Sequence, residues 1–462
     1  MTTIAAGTAR TGTAPRVTGA DESYLLAQDL FGVSAPIQFL YDFHVDPGAD
    51  AVAALRAALA QGSLHRAVSR TRVPGARHRW VRSDRAPAGS DDEVIADDEV
   101  GRWCDACLRG HRVDPIGGAG WRLDSAATEG GGRAVSLLVS HMVADGQAVY
   151  RALAEAAAGT GTALPAAASV GGIRGLRADV GDAIGQVGAA ANSVRVLVRE
   201  AVRNRRATST GTAASSPTTG NDPARTFLPP MVGDEPEPTL LTVDVDATRW
   251  KQRAAEFDGT PNSLFTAVLS GVVGRSGLPI SGELKVCVAV SRRDDESDDR
   301  ANASGGVWIR LPKPIEPGAD LGAVRAMSKR AFVDYAESGA DAVADNLQPV
   351  VRLLPRRIVG RLMRSIAGPD VTVSNLGVAP RNSLRIGGRD AAGFGIRAIM
   401  QGTPAEQRRK QGPAVAAWAV QHGDTVTMTF FGIHPDHFGD VTVVRKLIDD
   451  ELDAWGLARR FW

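Results

Sequence analysis

Seven consecutive residues, Ser140-His141-Met142-Val143-Ala144-Asp145-Gly146, concentrate the chemistry that this 462-residue chain could perform. An imidazole with an unperturbed pKa near 6.5 can take up and return a proton near neutral pH. Asp145, four residues on, can turn back to fix local geometry by hydrogen bond or ion pair, and Gly146 lets the backbone turn tightly before a helix. Base, brace and hinge thus stand together. The string alone leaves a second reading open, a packed core histidine beside a helix-capping aspartate.

Other signatures are missing. The sequence contains no G-x-S-x-G elbow, G-x-x-x-x-G-K-[ST] loop, G-x-G-x-x-G fingerprint or H-E-x-x-H pair. Cys104 and Cys107 have zinc-like spacing, but only Cys287 remains and no histidine pair completes a site. His434-Pro435-Asp436-His437 reads as a surface turn, since Pro435 interrupts a regular helix. No metal and no cofactor is expected. Trp121, Trp308 and Trp418 suit a core or a channel lining; nothing spaces them as a stacking platform for nucleic acid.

The elements around the motif explain its position. Arg133–Ser140 is rich in β-branched residues and Leu and reads as a buried strand; Gln147–Ala158 has helical spacing. His141 therefore sits where a strand ends and a helix begins. Ile37–Phe43 and Ala49–Ala60 repeat that alternation upstream. Downstream, Leu240–Val245 is strand-like, and Asp258–Pro261 supplies a cap and first-turn proline for a helix over Asn262–Val273. Further strands are expected at Leu284–Ser291, Val307–Leu311, Val371–Ser374, Ala414–Val420 and Thr425–Phe431, and a final helix over Asp440–Trp455. Connections too short for regular parallel crossovers favour mixed sheets.

Length and composition set the frame. A chain this long exceeds the roughly 250–300 residues over which one core keeps growing, so two domains are expected. Hydrophobic residues make up 44% and charged residues 23%, a globular balance. Lys plus Arg number 53 against 52 Asp plus Glu, so no global field draws nucleic acid. The three cysteines are too few for a disulfide framework, and a cytoplasmic location follows as the expectation. No stretch is long and apolar enough to span a bilayer. Between residues 159 and 225 Gly, Ala, Ser and Thr dominate, which places the interdomain connection there. Inside it, Ile173–Arg206 carries seven Arg against Asp179, Asp182 and Glu200, with apolar residues at helical spacing. This is either a helix packed on one domain or a peripheral membrane contact. Val351–Arg364, with five Arg and no acid, is a second basic stretch.

Beyond the motif, Gly120-Trp121-Arg122-Leu123 precedes it; Pro261-Asn262-Ser263-Leu264, Val288-Ala289-Val290-Ser291-Arg292-Arg293, Asn302 and Val371-Thr372-Val373-Ser374-Asn375-Leu376-Gly377 follow. With these landmarks in this order over most of residues 20–458, the chain resembles the HxxxDG acyltransferase superfamily. That superfamily includes wax ester synthase/diacylglycerol acyltransferases, polyketide-associated acyltransferases and condensation domains. The resemblance is nearest to wax ester synthase/diacylglycerol acyltransferase-like and related O-acyltransferases.

It implies an α/β fold of two chloramphenicol-acetyltransferase-like domains, with mixed sheets flanked by helices and an active-site channel between them. Residues 17–165 would form the first domain, 166–226 the basic helix and linker, and 227–462 the second. It also implies acyl transfer from an acyl thioester, acyl-CoA or carrier-bound, to an acceptor hydroxyl. His141 would be the base and Asp145 structural. Arg293, with Arg292 as the alternative, would be the ion-pair partner of Asp145. Gly146, Ser374 and Asn375 are the candidates for substrate or oxyanion contact. Transfer to an amine, with a free-standing carrier protein as partner, and a degenerate binding scaffold are the alternatives. Two departures from relatives bear on these: Ser140 stands where many have a first histidine, and Ser-Asn-Leu-Gly-Val replaces Ser-Asn-Val-Pro-Gly.

Overall fold

Arg133–Ser140 is buried at all eight positions, and a strand buried on both faces belongs in the middle of a sheet. In the computed structural model it is the central strand of five. The order is Gly393–Ala398, Pro36–Phe43, Arg133–Ser140, Trp121–Thr128, Glu93–Ile95. Its two neighbours pair with it antiparallel, while Glu93–Ile95 adds in parallel, so the sheet is mixed. The structure describes residues 14–208, 235–293, 298–338, 348–365 and 368–462, with side chains of the first segment described up to residue 195. The low-complexity stretch Ala207–Asp222 lies almost wholly outside them.

The second sheet has seven strands in the order Arg459–Phe461, Thr239–Asp246, Thr425–Gly432, Val415–His422, Val371–Val378, Leu284–Ser291, Ser304–Leu311. Val371–Val378 runs parallel to both its neighbours and the other pairs are antiparallel, which makes this sheet mixed too. Its core is organised around the helix Pro261–Arg275, whose residues from Ser263 to Val273 are all buried. Thr260 caps that helix by accepting from the Ser263 N–H, one residue before the first-turn proline. A helix buried all round shows no apolar stripe, and here composition and cap mark it instead.

The sheets do not divide the chain as the three sequence segments do. Gly393–Ala398 lies in the 227–462 segment yet pairs with Pro36–Phe43 along six residues of register. Its Arg397 is buried, donates to the Gln38 carboxamide at 2.6 Å and stands 3.7 Å from Asp105. The second half thus completes the edge of the first sheet. The helix Gly172–Thr208 docks on the first lobe: Asp179 pairs with Arg16 and Arg79, both at 2.6 Å, and Asp182 with Arg77 at 2.7 Å.

Two smaller expectations are corrected. Trp121 is buried, but Trp308 is 49% exposed on the edge strand of the second sheet. His434–His437 is not a surface turn: Pro435 opens a helical turn, His434 and Pro435 are buried, and Asp436 pairs with Arg409. The interval between residues 61 and 120 contains the hairpin Arg66–Ser69/Arg79–Arg82 and the helix Val100–Gly110.

Candidate active site

The motif strand ends at Ser140, and the backbone then makes a tight turn in which the Val143 and Ala144 N–H groups return to the Ser140 carbonyl. Both halves of the chain hold this turn. The His141 N–H donates to Ala35 and the Asp145 N–H donates to Ala301, a residue of the second half. Gly146 then opens the helix Gly146–Ala158.

Asp145 is buried and saturated. One carboxylate oxygen caps the helix by accepting from the Ala148 N–H at 2.9 Å and also takes Arg293 at 2.6 Å. The other accepts from the Ala303 N–H at 2.8 Å and the Ser304 hydroxyl at 3.3 Å. Arg293 rather than Arg292 is the partner; its guanidinium also donates to the Asp298 and Arg300 carbonyls. A carboxylate so engaged is a brace between the motif and segment 298–304.

Asn302 holds the imidazole. Its amide nitrogen faces three acceptors, Asp21 Oδ1 at 3.0 Å, the His141 carbonyl at 2.8 Å and the Met142 carbonyl at 3.2 Å. That leaves the amide oxygen toward His141 Nδ1, at 3.0 Å. An oxygen can only accept, so the network assigns the ring proton to Nδ1 and the lone pair to Nε2. The Tyr24 ring stacks on the imidazole, with centroids 4.6 Å and planes 18° apart. Burial lowers the His141 pKa below its ordinary value, against the opposing pull of its own backbone, Asp145, Asn302 and Asp21. His141 as a residue keeps intermediate exposure. A cavity of about 290 Å³ reaches Asn302, bordered also by Thr18, Arg77, Gln186, Ser304 and Arg352.

Ser374, Asn375 and Gly146 fall into place differently. The strand Val371–Val378 brings Leu376 against the motif helix, where a Cβ on Gly146 would lie 2.6 Å from a Leu376 methyl. A side chain at position 146 would have to displace that methyl, and the backbone itself does not demand glycine there, since Gly146 is not among the glycines with positive φ. Asn375 is committed elsewhere: it donates to Asn262 at 2.7 Å and accepts from the Gly377 N–H at 2.9 Å. Ser374 is half-buried on the same strand.

Tyr24 and Asp21 escape a reading that starts from the motif, because the helix Gly19–Phe31 that carries them is far away in sequence. The available signal was its capping box, Thr18 with Asp21. Asn302 stood out in the sequence as a landmark without a role.

Among the described residues no group of three or more His, Cys, Asp or Glu could hold a metal ion. The three cysteines are free, and burial pushes the Cys104 and Cys107 thiols up to about 12, leaving both protonated.

No protein-family model and no curated protein matches the chain. Solved structures do. The first condensation domain of the CDA synthetase is similar over 96% of this chain and 97% of its own, with 16% identity and a TM-score of 0.56. The condensation domain from the Monacolin K polyketide synthase MokA covers 97% of each chain at 14% identity, TM-score 0.54. The wax ester synthase/diacylglycerol acyltransferase from Marinobacter aquaeolei VT8 is similar over 95% of this chain and 98% of its own, at 14% identity and TM-score 0.54. The chain therefore has the fold that condensation domains share with wax ester synthase, two chloramphenicol-acetyltransferase-like lobes whose mixed sheets are flanked by helices.

Proposed function

We propose that the protein is an acyltransferase that moves an acyl group from a thioester to an acceptor hydroxyl, with His141 as general base. The observation that carries this reading is the hydrogen bond between His141 Nδ1 and the Asn302 amide oxygen, which leaves the Nε2 lone pair available. Nε2 takes the proton of the acceptor as its oxygen attacks the thioester carbonyl; the tetrahedral oxyanion collapses, the carbon–sulfur bond breaks, and the imidazolium returns the proton to the leaving sulfur. No acyl-enzyme is needed, in keeping with the lack of a nucleophile elbow. Asp145 acts as a positioning residue. The oxyanion donor is the Gly146 N–H, at the positive end of its helix, rather than Asn375, whose amide already serves Asn262. The donor is acyl-CoA or a carrier-bound thioester, in line with a fold shared with condensation domains.

Purified chain, supplied with a panel of acyl-CoA thioesters and separate alcohol and amine acceptors, should release thiol detectable with DTNB. The His141→Ala variant should fold and lose roughly 10²–10⁴-fold of that activity. Full turnover by this variant would remove His141 as base, amine-only turnover would replace the ester-forming reading by an amide-forming one, and specific thioester binding without turnover would leave a scaffold.

The pH dependence follows from the direction of the His141 shift. The working form is neutral, and burial holds its pKa below 6.5, so kcat/KM should stay level as pH falls through 6.5 and drop only below it. A limb centred at or above 6.5, followed with dithiodipyridine, would contradict a desolvated base.

Asp145→Ala should be destabilised by about 3–5 kcal/mol in urea denaturation, because it leaves the Arg293 charge buried without its carboxylate and removes a helix cap. A loss under about 1 kcal/mol would show that the brace carries little.

A further inference from the structure

The helix Gly172–Thr208 is mounted with its polarity reversed. Its acids face the protein: Asp179 and Asp182 are spent on Arg16, Arg77 and Arg79, and Gln186 meets Arg352. Its large apolar side chains face outward. Ile173, Leu176, Val180, Ile184, Val187 and Val194 recur at helical spacing, and Ile173 and Ile184 are 73% and 69% exposed. A surface helix normally does the opposite, so this stripe is built to be covered.

The charges beside the stripe identify what covers it. Arg174, Arg177 and Arg195 on the same helix are exposed, whereas its described acids point inward. The helix Arg356–Ser365 repeats the pattern, with Ile358 and Leu362 outward among Arg357, Arg361 and Arg364 and no acid in its sequence. Arg352, four residues before the second helix begins, meets Gln186 on the first and pairs with Glu22 on the helix Gly19–Phe31, and the loop whose Arg77 holds Asp182 has Gly75 beside Leu353.

We infer that this face docks the protein on an anionic bilayer surface, with the apolar stripe in the headgroup boundary and the arginines against lipid phosphates. A second copy fits less well, because a two-fold contact would set this cationic face against itself. The contact is peripheral, since no helix among the described residues is long and apolar enough to cross a membrane. Gln186 and Arg352, which meet each other, also border the cavity that reaches Asn302, so a docked bilayer would lie beside the candidate active site. The docking itself stands on the surface alone, whatever reaction the site performs.

Flotation of the full chain with vesicles tests it. The protein should float with vesicles of phosphatidylglycerol mixed into phosphatidylcholine and stay behind with phosphatidylcholine alone, and added salt should weaken binding. Ile184→Glu/Val187→Glu should abolish flotation, and Arg357→Glu/Arg361→Glu should weaken it by about tenfold or more. Both variants substitute exposed positions, so unchanged thermal melts will show that the fold is kept. No flotation of the native chain with phosphatidylglycerol vesicles would overturn the inference, as would native-like flotation of the Ile184→Glu/Val187→Glu variant. A stripe-dependent dimer in sedimentation velocity, with no vesicle binding, would assign the face to a second copy instead.

Discussion

The amide of Asn302 is the contact on which the arrangement of the site depends. It is buried, its nitrogen is shared among Asp21 and the carbonyls of His141 and Met142, and its oxygen is left with one neighbour, the imidazole. A carboxamide whose donors are so occupied cannot turn over without leaving buried acceptors unpaired, and an unpaired buried polar group costs about 1–3 kcal/mol. The tautomer of His141 is therefore set by the groups that surround this amide. Those groups come from three distant stretches: the first helix, the motif turn and segment 298–304.

The same segment supports the brace. Ala301 receives the Asp145 N–H, while Ala303, Ser304 and Arg293 meet its carboxylate. A motif made of local residues is thus held by non-local ones. The strand Gly393–Ala398, reaching from the second half into the first sheet, ties the lobes together at another point. Acting together, these contacts restrict how far the two sides of the site can shift, which is what preorganised proton transfer requires.

Much of this was legible from the chain, for physical reasons that differ by element. Arg133–Ser140 and Leu284–Ser291 were readable to the residue because strand composition is local and turn residues bound it. His141, Asp145 and Gly146 were readable because they are contiguous, and Arg293 because it stands in a segment that resembles relatives. Tyr24 was not, since a tyrosine on an amphipathic helix looks the same whether or not its ring lies on a histidine. Gly393–Ala398 was missed because glycines break its strand signal and its partner lies more than 350 residues earlier. For Ile173–Arg206 the sequence foresaw a basic helix, but which face would turn outward depended on the tertiary pairing of Asp179 and Asp182.

The proposed chemistry needs one protonation state of one ring, that of His141. Nitrogen-15 NMR of the histidines, with His141 assigned by comparison with the His141→Ala variant, reads it without any substrate. A protonated Nδ1 and a pyridine-like Nε2 at neutral pH are the predicted result. A proton on Nε2, or a doubly protonated ring at that pH, would contradict it.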